Sequence, residues 1–237
     1  MLQNASILLL YGFIVLPVAV AVAVTAIVWR AVGAAGFARR QTTRLQIRFA
    51  LGGVAWLALT IWVAASGVLR QFDRRPPPIM FLMVVMLALA AWLAFSWVGD
   101  VVVRHTSWVA LVALQAFRLP LELLMHRAYT EGVMPVQMSY SGRNFDIITA
   151  LTALALAFAL AKRPVALWII GAWNVLGTLL LTNIVVVAVA SMPLFRYFGP
   201  DHLNVWVAEA PFVWLPAVLV LTALAGHLLI FRKLRVG

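Results

Sequence analysis

The chain has 237 residues, 65% of them apolar and only 11% charged, with a mean hydropathy of +1.03. Soluble domains are about half apolar and about a quarter charged, so this composition excludes an ordinary water-soluble fold and a disordered chain alike. Eighteen Lys and Arg against seven Asp and Glu give a net charge of +11, and no cysteine is present. The charge raises the question of a polyanionic partner, while the missing cysteine removes disulfides, thiolate metal sites and thiol catalysis together.

Seven apolar segments follow in chain order, at about 6–29, 47–69, 79–98, 107–129, 144–161, 165–190 and 212–231. Each is close to the roughly 20 residues that an apolar helix needs to cross the hydrocarbon core, and a lone segment in lipid satisfies its backbone only as a helix. The expected fold is all-α, a single polytopic domain over residues 1–237 with seven transmembrane helices. The first segment has no basic flank before it and runs on to Trp29, too long for a signal peptide, so it reads as a retained helix. Arg74-Arg75-Pro76-Pro77-Pro78, Lys162-Arg163-Pro164 and Met192-Pro193 break the apolar pattern between segments.

The basic residues lie between the segments. Arg30, Arg39, Arg40, Arg44, Arg48, Arg104, Lys162, Arg163, Arg232, Lys233 and Arg235 fall on one side, eleven in all; Arg70, Arg74, Arg75, Arg127, Arg143 and Arg196, six in all, fall on the other. The positive-inside bias accounts for this charge without nucleic acid and places the N-terminus outside and the C-terminus in the cytoplasm. Trp29, Trp97, Trp108, Trp206 and Trp214 stand near segment ends, where interfacial anchors are expected.

Arg118 belongs to neither side. The fourth segment carries Gln115, Arg118, Glu122, His126 and Tyr129 in an otherwise apolar run. At 100° per residue these fall at about 60°, 0°, 40°, 80° and 20°, an arc of roughly 80° on one helix face. A charge at mid-bilayer costs about 2.5–3.5 kcal/mol on insertion scales, so this stripe faces the protein interior and its charges are paired or hydrated. Arg118 and Glu122, four apart, can pair with each other, and Pro120 between them removes a backbone hydrogen bond and bends the helix. Two readings stand side by side: a lock that fixes helix packing, or a site for a ligand, proton or ion.

Beyond this stripe, Arg143, Asn144 and Asp146 open the fifth segment, where Asn144 suits an N-cap and Asp146 the positive end of the helix dipole. They also stand where they could face the stripe across an outer vestibule. Asn174, Thr178 and Thr182 share a face of the sixth segment, with Asn183 beside them, and Asp201, His202 and Glu209 follow in the last outer connection.

For a metal, Glu122 and His126 sit four apart on one helix, and Asp146, His202 or Glu209 could complete a set, without any compact motif such as HExxH. Haem would need a matched pair, His126 with His202 or His105 with His227. Retinal would need a buried lysine, whereas Lys162 and Lys233 both sit at helix ends. Haem and retinal are therefore not expected. No GxSxG elbow, Walker A loop or dinucleotide fingerprint occurs.

The runs Gln115-Ala116-Phe117-Arg118, Gly132 to Met138 and Gly142-Arg143-Asn144-Phe145-Asp146-Ile147, with Phe212 to Pro216 and His227-Leu228-Leu229, cover about the second half of the chain. In these the chain resembles an uncharacterised family of bacterial seven-helix integral membrane proteins, in which Ser139-Tyr140-Ser141 is replaced by Thr-Phe-Glu. The resemblance implies a bacterial inner-membrane location and no particular activity. Three functions remain open from the residues: a protein that binds, senses or transports a small polar or amphiphilic solute through an outward-facing vestibule in contact with membrane lipid; a membrane-embedded metal-dependent hydrolase; or a structural or partner protein without a ligand.

Overall fold

The computed structural model of the protein describes residues 5–236; Met1–Asn4, where the uncharged flank of the first helix begins, and Gly237 lie outside the described residues. All regular structure among the described residues is helical, in the order α1 (Ile7–Ala34), α2 (Arg39–Ala65), α3 (Pro78–Phe95), α4 (Trp97–His105), α5 (Trp108–Thr130), α6 (Ile147–Lys162), α7 (Leu167–Ala190) and α8 (Leu215–Val236). Six of these, all but α4 and α6, are long and apolar enough to cross a membrane; α6 is apolar but shorter, with 16 residues.

Local chemistry explains the boundaries. The Ser6 and Ser107 hydroxyls accept from the backbone N–H of Leu9 and Ala110, capping α1 and α5, and Pro78 opens α3 at the position where its missing N–H costs least. Two departures from expectation bear on the architecture. Helix α2 begins at Arg39 rather than near residue 47, because Arg39, Arg40, Arg44 and Arg48 continue it with their side chains in the open. Between the third and fourth segments lies a helix that the apolar pattern did not signal: α4 turns Val98, Val102 and Val103 inward and Asp100, Arg104 and His105 outward, an amphipathic element too short to cross.

Large apolar side chains cover the outside. Leu51, Val54 and Trp62 of α2, Phe81, Val84 and Trp92 of α3, Phe158 of α6 and Trp168 and Leu179 of α7 are all exposed. Such a surface goes well beyond the few hundred Å² of apolar patch that a soluble monomer tolerates, and with six long apolar helices it makes this a membrane protein. Helix α8 lies at the centre and is the most buried of the long helices.

The two ends of the bundle differ. At the basic end the Arg232 guanidinium donates to the Ala94 carbonyl and pairs with Asp100, and Lys233 Nζ donates to the Val103 carbonyl at 2.7 Å. At the opposite, loop-rich end the Ser6 N–H and hydroxyl both donate to Glu131 at 2.7 Å, and Arg70 pairs with Glu209 at 3.4 Å. Trp206 is no interfacial anchor: it is 1% exposed and packs edge-on against Phe13 and Phe212 at 5.5 and 5.0 Å. Trp214 reaches across to α2 and donates to the Thr60 hydroxyl at 3.1 Å.

Candidate functional site

Helix α5 does not run as one regular α-helix. Residues Gln115–Phe117 form a 3-10 turn just ahead of Pro120, and in such a turn side chains three apart eclipse one another. Gln115 and Arg118 therefore face α8 together, one turn apart: Gln115 Nε2 donates to the Ala223 carbonyl at 3.1 Å, and Arg118 Nη1 donates to His227 Nε2 at 3.0 Å. His227 Nδ1 lies 2.7 Å from Asn174 Oδ1, whose own Nδ2 donates to the His227 carbonyl at 3.1 Å. This fixes the tautomer: Nδ1 carries the proton and Nε2 offers its lone pair to Arg118, so the imidazole is neutral.

The charge on Arg118 is met from α6. Arg118 Nη2 stands 2.7 Å from Asp146 Oδ2, and the other carboxylate oxygen accepts from the Thr149 hydroxyl at 3.1 Å. The Nη2 contact is a buried ion pair. Asp146, not Asn144, occupies the N-cap position of α6, and Asn144 closes the turn before it by accepting from the Asp146 N–H at 3.0 Å. Glu122 is not the partner of Arg118. Its two oxygens accept instead from Asn144 Nδ2 at 2.9 and 2.8 Å, and the same amide also reaches the Met138 carbonyl.

Arg118, Glu122, Asp146, Asn144, Gln115, Asn174, Thr149 and His227 are all buried. The cluster ties α5, α6, α7 and α8 together, and the packing is tight where α7 and α8 meet it at Gly177 and Gly226. A Cβ at Gly177 would lie 2.6 Å from His227 Cε1 and 2.9 Å from Thr149 Cγ2, and one at Gly226 would overlap Gln115 Nε2. Only glycine lets α7 and α8 approach these side chains so closely.

Beside the cluster, in the loop-end half of the bundle, is a cavity of about 60 Å³ between α3, α5, α7 and α8. Arg118, Glu122 and Asp146 contribute its charged wall, and Asn204 lines it from the connection after α7. Most of the rest is apolar, and five of the eight methionines of the chain, Met83, Met86, Met125, Met138 and Met192, border it. Pro216, in the π-helical stretch Leu215–Val220 that opens α8, lines it too. That wider turn is stabilised from outside, where Trp56 Nε1 donates to the Ala217 carbonyl at 2.8 Å. About two waters' share of liquid volume would fill the space, and its polar wall can hold them.

Not every expected residue joins. His126 sits above the cluster, stacked on Tyr140 at 4.4 Å and within 3.2 Å of the Ser141 hydroxyl. The Arg143 guanidinium is exposed over the Phe198 ring, and its carbonyl accepts from Asn183. Thr178 donates to the Asn174 carbonyl of its own helix. His202 is exposed. Glu122, His126 and His202 are thus not gathered, and no group of three metal-ligating acidic or histidine side chains converges among the described residues. His105 is exposed and His227 fully buried, so that pair does not share an environment. His227, weighed only as a haem partner of His105, and Thr149 are the members of the cluster that were not among the expected site residues. A lone histidine directly after Gly226 in an apolar run was the available signal. No family model, curated protein or solved structure matches the chain.

Proposed function

We propose that this is a seven-helix protein of the bacterial inner membrane, with α6 as the short seventh crossing, that binds a small polar or amphiphilic solute in an outward-facing vestibule, as a sensor or a transporter. The observation that carries this reading is the cavity itself: it lies next to the one arginine that topology leaves unexplained, and ionisable side chains line it where a purely structural ion pair would be packed over. The charge asymmetry, eleven basic residues at one end against six at the other, supports an external N-terminus and a cytoplasmic C-terminus. A reporter fused to the C-terminus is then active in the cytoplasm; activity only in the periplasm would reverse the orientation.

Because the chain has no cysteine, access to the cavity can be read one thiol at a time. Met125→Cys places a thiol on the cavity wall and Leu154→Cys places one on an exposed apolar face of α6. The thiolate is the reactive form and needs water around it. The neutral reagent methyl methanethiosulfonate is expected to label Met125→Cys about tenfold faster or more than Leu154→Cys, a difference of about one pKa unit in thiolate supply. Equal, slow labelling of both would overturn the vestibule.

The second reading, a structural lock, is favoured by the fully engaged His227–Asn174 arm, which stabilises packing and reaches no cavity. It predicts that Met125→Cys labels no faster than Leu154→Cys, whereas Arg118→Leu destabilises under either reading because it strands Asp146.

A further inference from the structure

The polar atoms facing the cavity are unequal in kind. Glu122 has no ion pair among the described residues, and its two oxygens share one neutral donor, the Asn144 amide. Asn204, from the connection after α7, is buried and also lines the cavity. Its Nδ2 donates to the Ala188 carbonyl at 3.0 Å, which orients the amide and leaves Oδ1 with no partner. Among the described residues the only cation at the wall is Arg118, already within 2.7 Å of Asp146, and His227 beside it is neutral. With Arg118 and Asp146 cancelling, the Glu122 carboxyl group and one free amide oxygen remain without a cation.

We propose that the cavity takes an organic ammonium ion with a short apolar body: its N–H groups meet Glu122 and Asn204, and its carbon chain lies among Met83, Met86, Met125 and Leu219. Ionising a buried carboxyl group without a cation is costly, and an ammonium ligand supplies the charge that lets Glu122 ionise together with donors for both acceptors. The methionines suit the other half of such a ligand, since unbranched thioether chains re-pack around apolar groups of differing shape. At about 60 Å³ the space is smaller than the roughly 150 Å³ that houses benzene in an engineered cavity, so a body of one or two carbons fills it and a longer chain enters only as the methionine side chains move aside.

This inference rests on the vestibule reading, and the test separates the two. Full-length Met125→Cys protein in lipid nanodiscs is treated with three methanethiosulfonates, bearing ethylammonium, methyl or sulfonatoethyl groups, each rate being normalised to that reagent's rate with a free thiol in solution. The ammonium reagent is expected to exceed the sulfonate by about tenfold or more, the scale at which a charged cleft concentrates an ion of opposite sign. Glu122→Gln is expected to abolish that preference, and n-butylammonium to protect the thiol where butanesulfonate does not. Should Glu122→Gln not fold, Asn204→Leu replaces it and is expected to weaken butylammonium protection. Labelling by the neutral reagent with no ammonium preference, or with a sulfonate preference, would overturn the ammonium assignment and leave the vestibule standing. Failure of all three reagents would overturn the vestibule.

Discussion

Arg118 and Arg127 stand nine residues apart on α5, and each pairs with a carboxylate at hydrogen-bonding distance: Arg118 with Asp146 at 2.7 Å, Arg127 with Glu131 at 2.6 Å. The first pair is buried on both sides, while the Arg127 side chain is 44% exposed at the helix end. The chemistry is nearly the same and the consequences are not. At the exposed end water and salt share the charges, so the pair adds little beyond what it does for Ser6, which Glu131 holds through two hydrogen bonds. In the interior neither charge has an alternative to its partner, so removing one strands the other. Position on the helix, not residue type, decides what an ion pair is worth here.

The largest effect follows at the buried pair. Asp146→Ala is expected to destabilise by about 3–5 kcal/mol, the range for breaking one side of a buried pair, and denaturant unfolding in detergent measures it. Removing both charges with Arg118→Met and Asp146→Leu is expected to recover most of that loss, because apolar replacements of a whole buried pair are often neutral. If the double variant is as unstable as the single one, the contrast between the two arginines fails. Next comes Gly177→Ala, whose methyl would overlap His227 and Thr149; overpacking of this kind costs about 1–3 kcal/mol, visible as a lowered melting temperature.

Arg127→Ala is expected to cost only about 0.2–1 kcal/mol, and the loss should shrink further in high salt. The pH dependence of the same contact is the smallest effect and has a definite sign. Burial pushes the Glu131 carboxyl up, but the Ser6 N–H, the Ser6 hydroxyl and Arg127 together hold it below the ordinary glutamate value of 4.5. Its folded-state value is depressed, so its contribution is complete above 4.5 and disappears as the pH falls through the folded value. Stability of Glu131→Gln against the parent, followed from pH 7 downward, should therefore converge in acid. A gap that widens in acid would contradict this.

The same two regions show what a sequence discloses. The stripe Gln115, Arg118 and Glu122 was legible because one period, 3.6 residues, places these side chains on one face, and cost arguments then forbid that face from meeting lipid. The partners were not legible. Pairing Arg118 with Glu122 was the local solution, but α6 brings Asp146 closer and α8 brings His227, and neither approach is encoded in spacing along α5. Asn144 reads as an N-cap by type, yet its amide is drawn to Glu122 and leaves the N-cap position to Asp146. The long helices were visible as apolar runs. Helix α4 was not, because nine amphipathic residues between two apolar runs look like a connection. The cavity, finally, exists only where four helices fail to fill the space between them, and no single segment contains that information.

An electron cryomicroscopy map of the protein in lipid nanodiscs, at a resolution that shows ordered water, with and without n-butylammonium, tests the cavity and its ligand most directly. Density is expected in the cavity between α3, α5, α7 and α8: waters within hydrogen-bonding reach of Glu122 and the Asn204 amide oxygen in the first map, and an elongated feature replacing them in the second. A cavity closed by the methionine side chains, dry and unchanged by the amine, would contradict it.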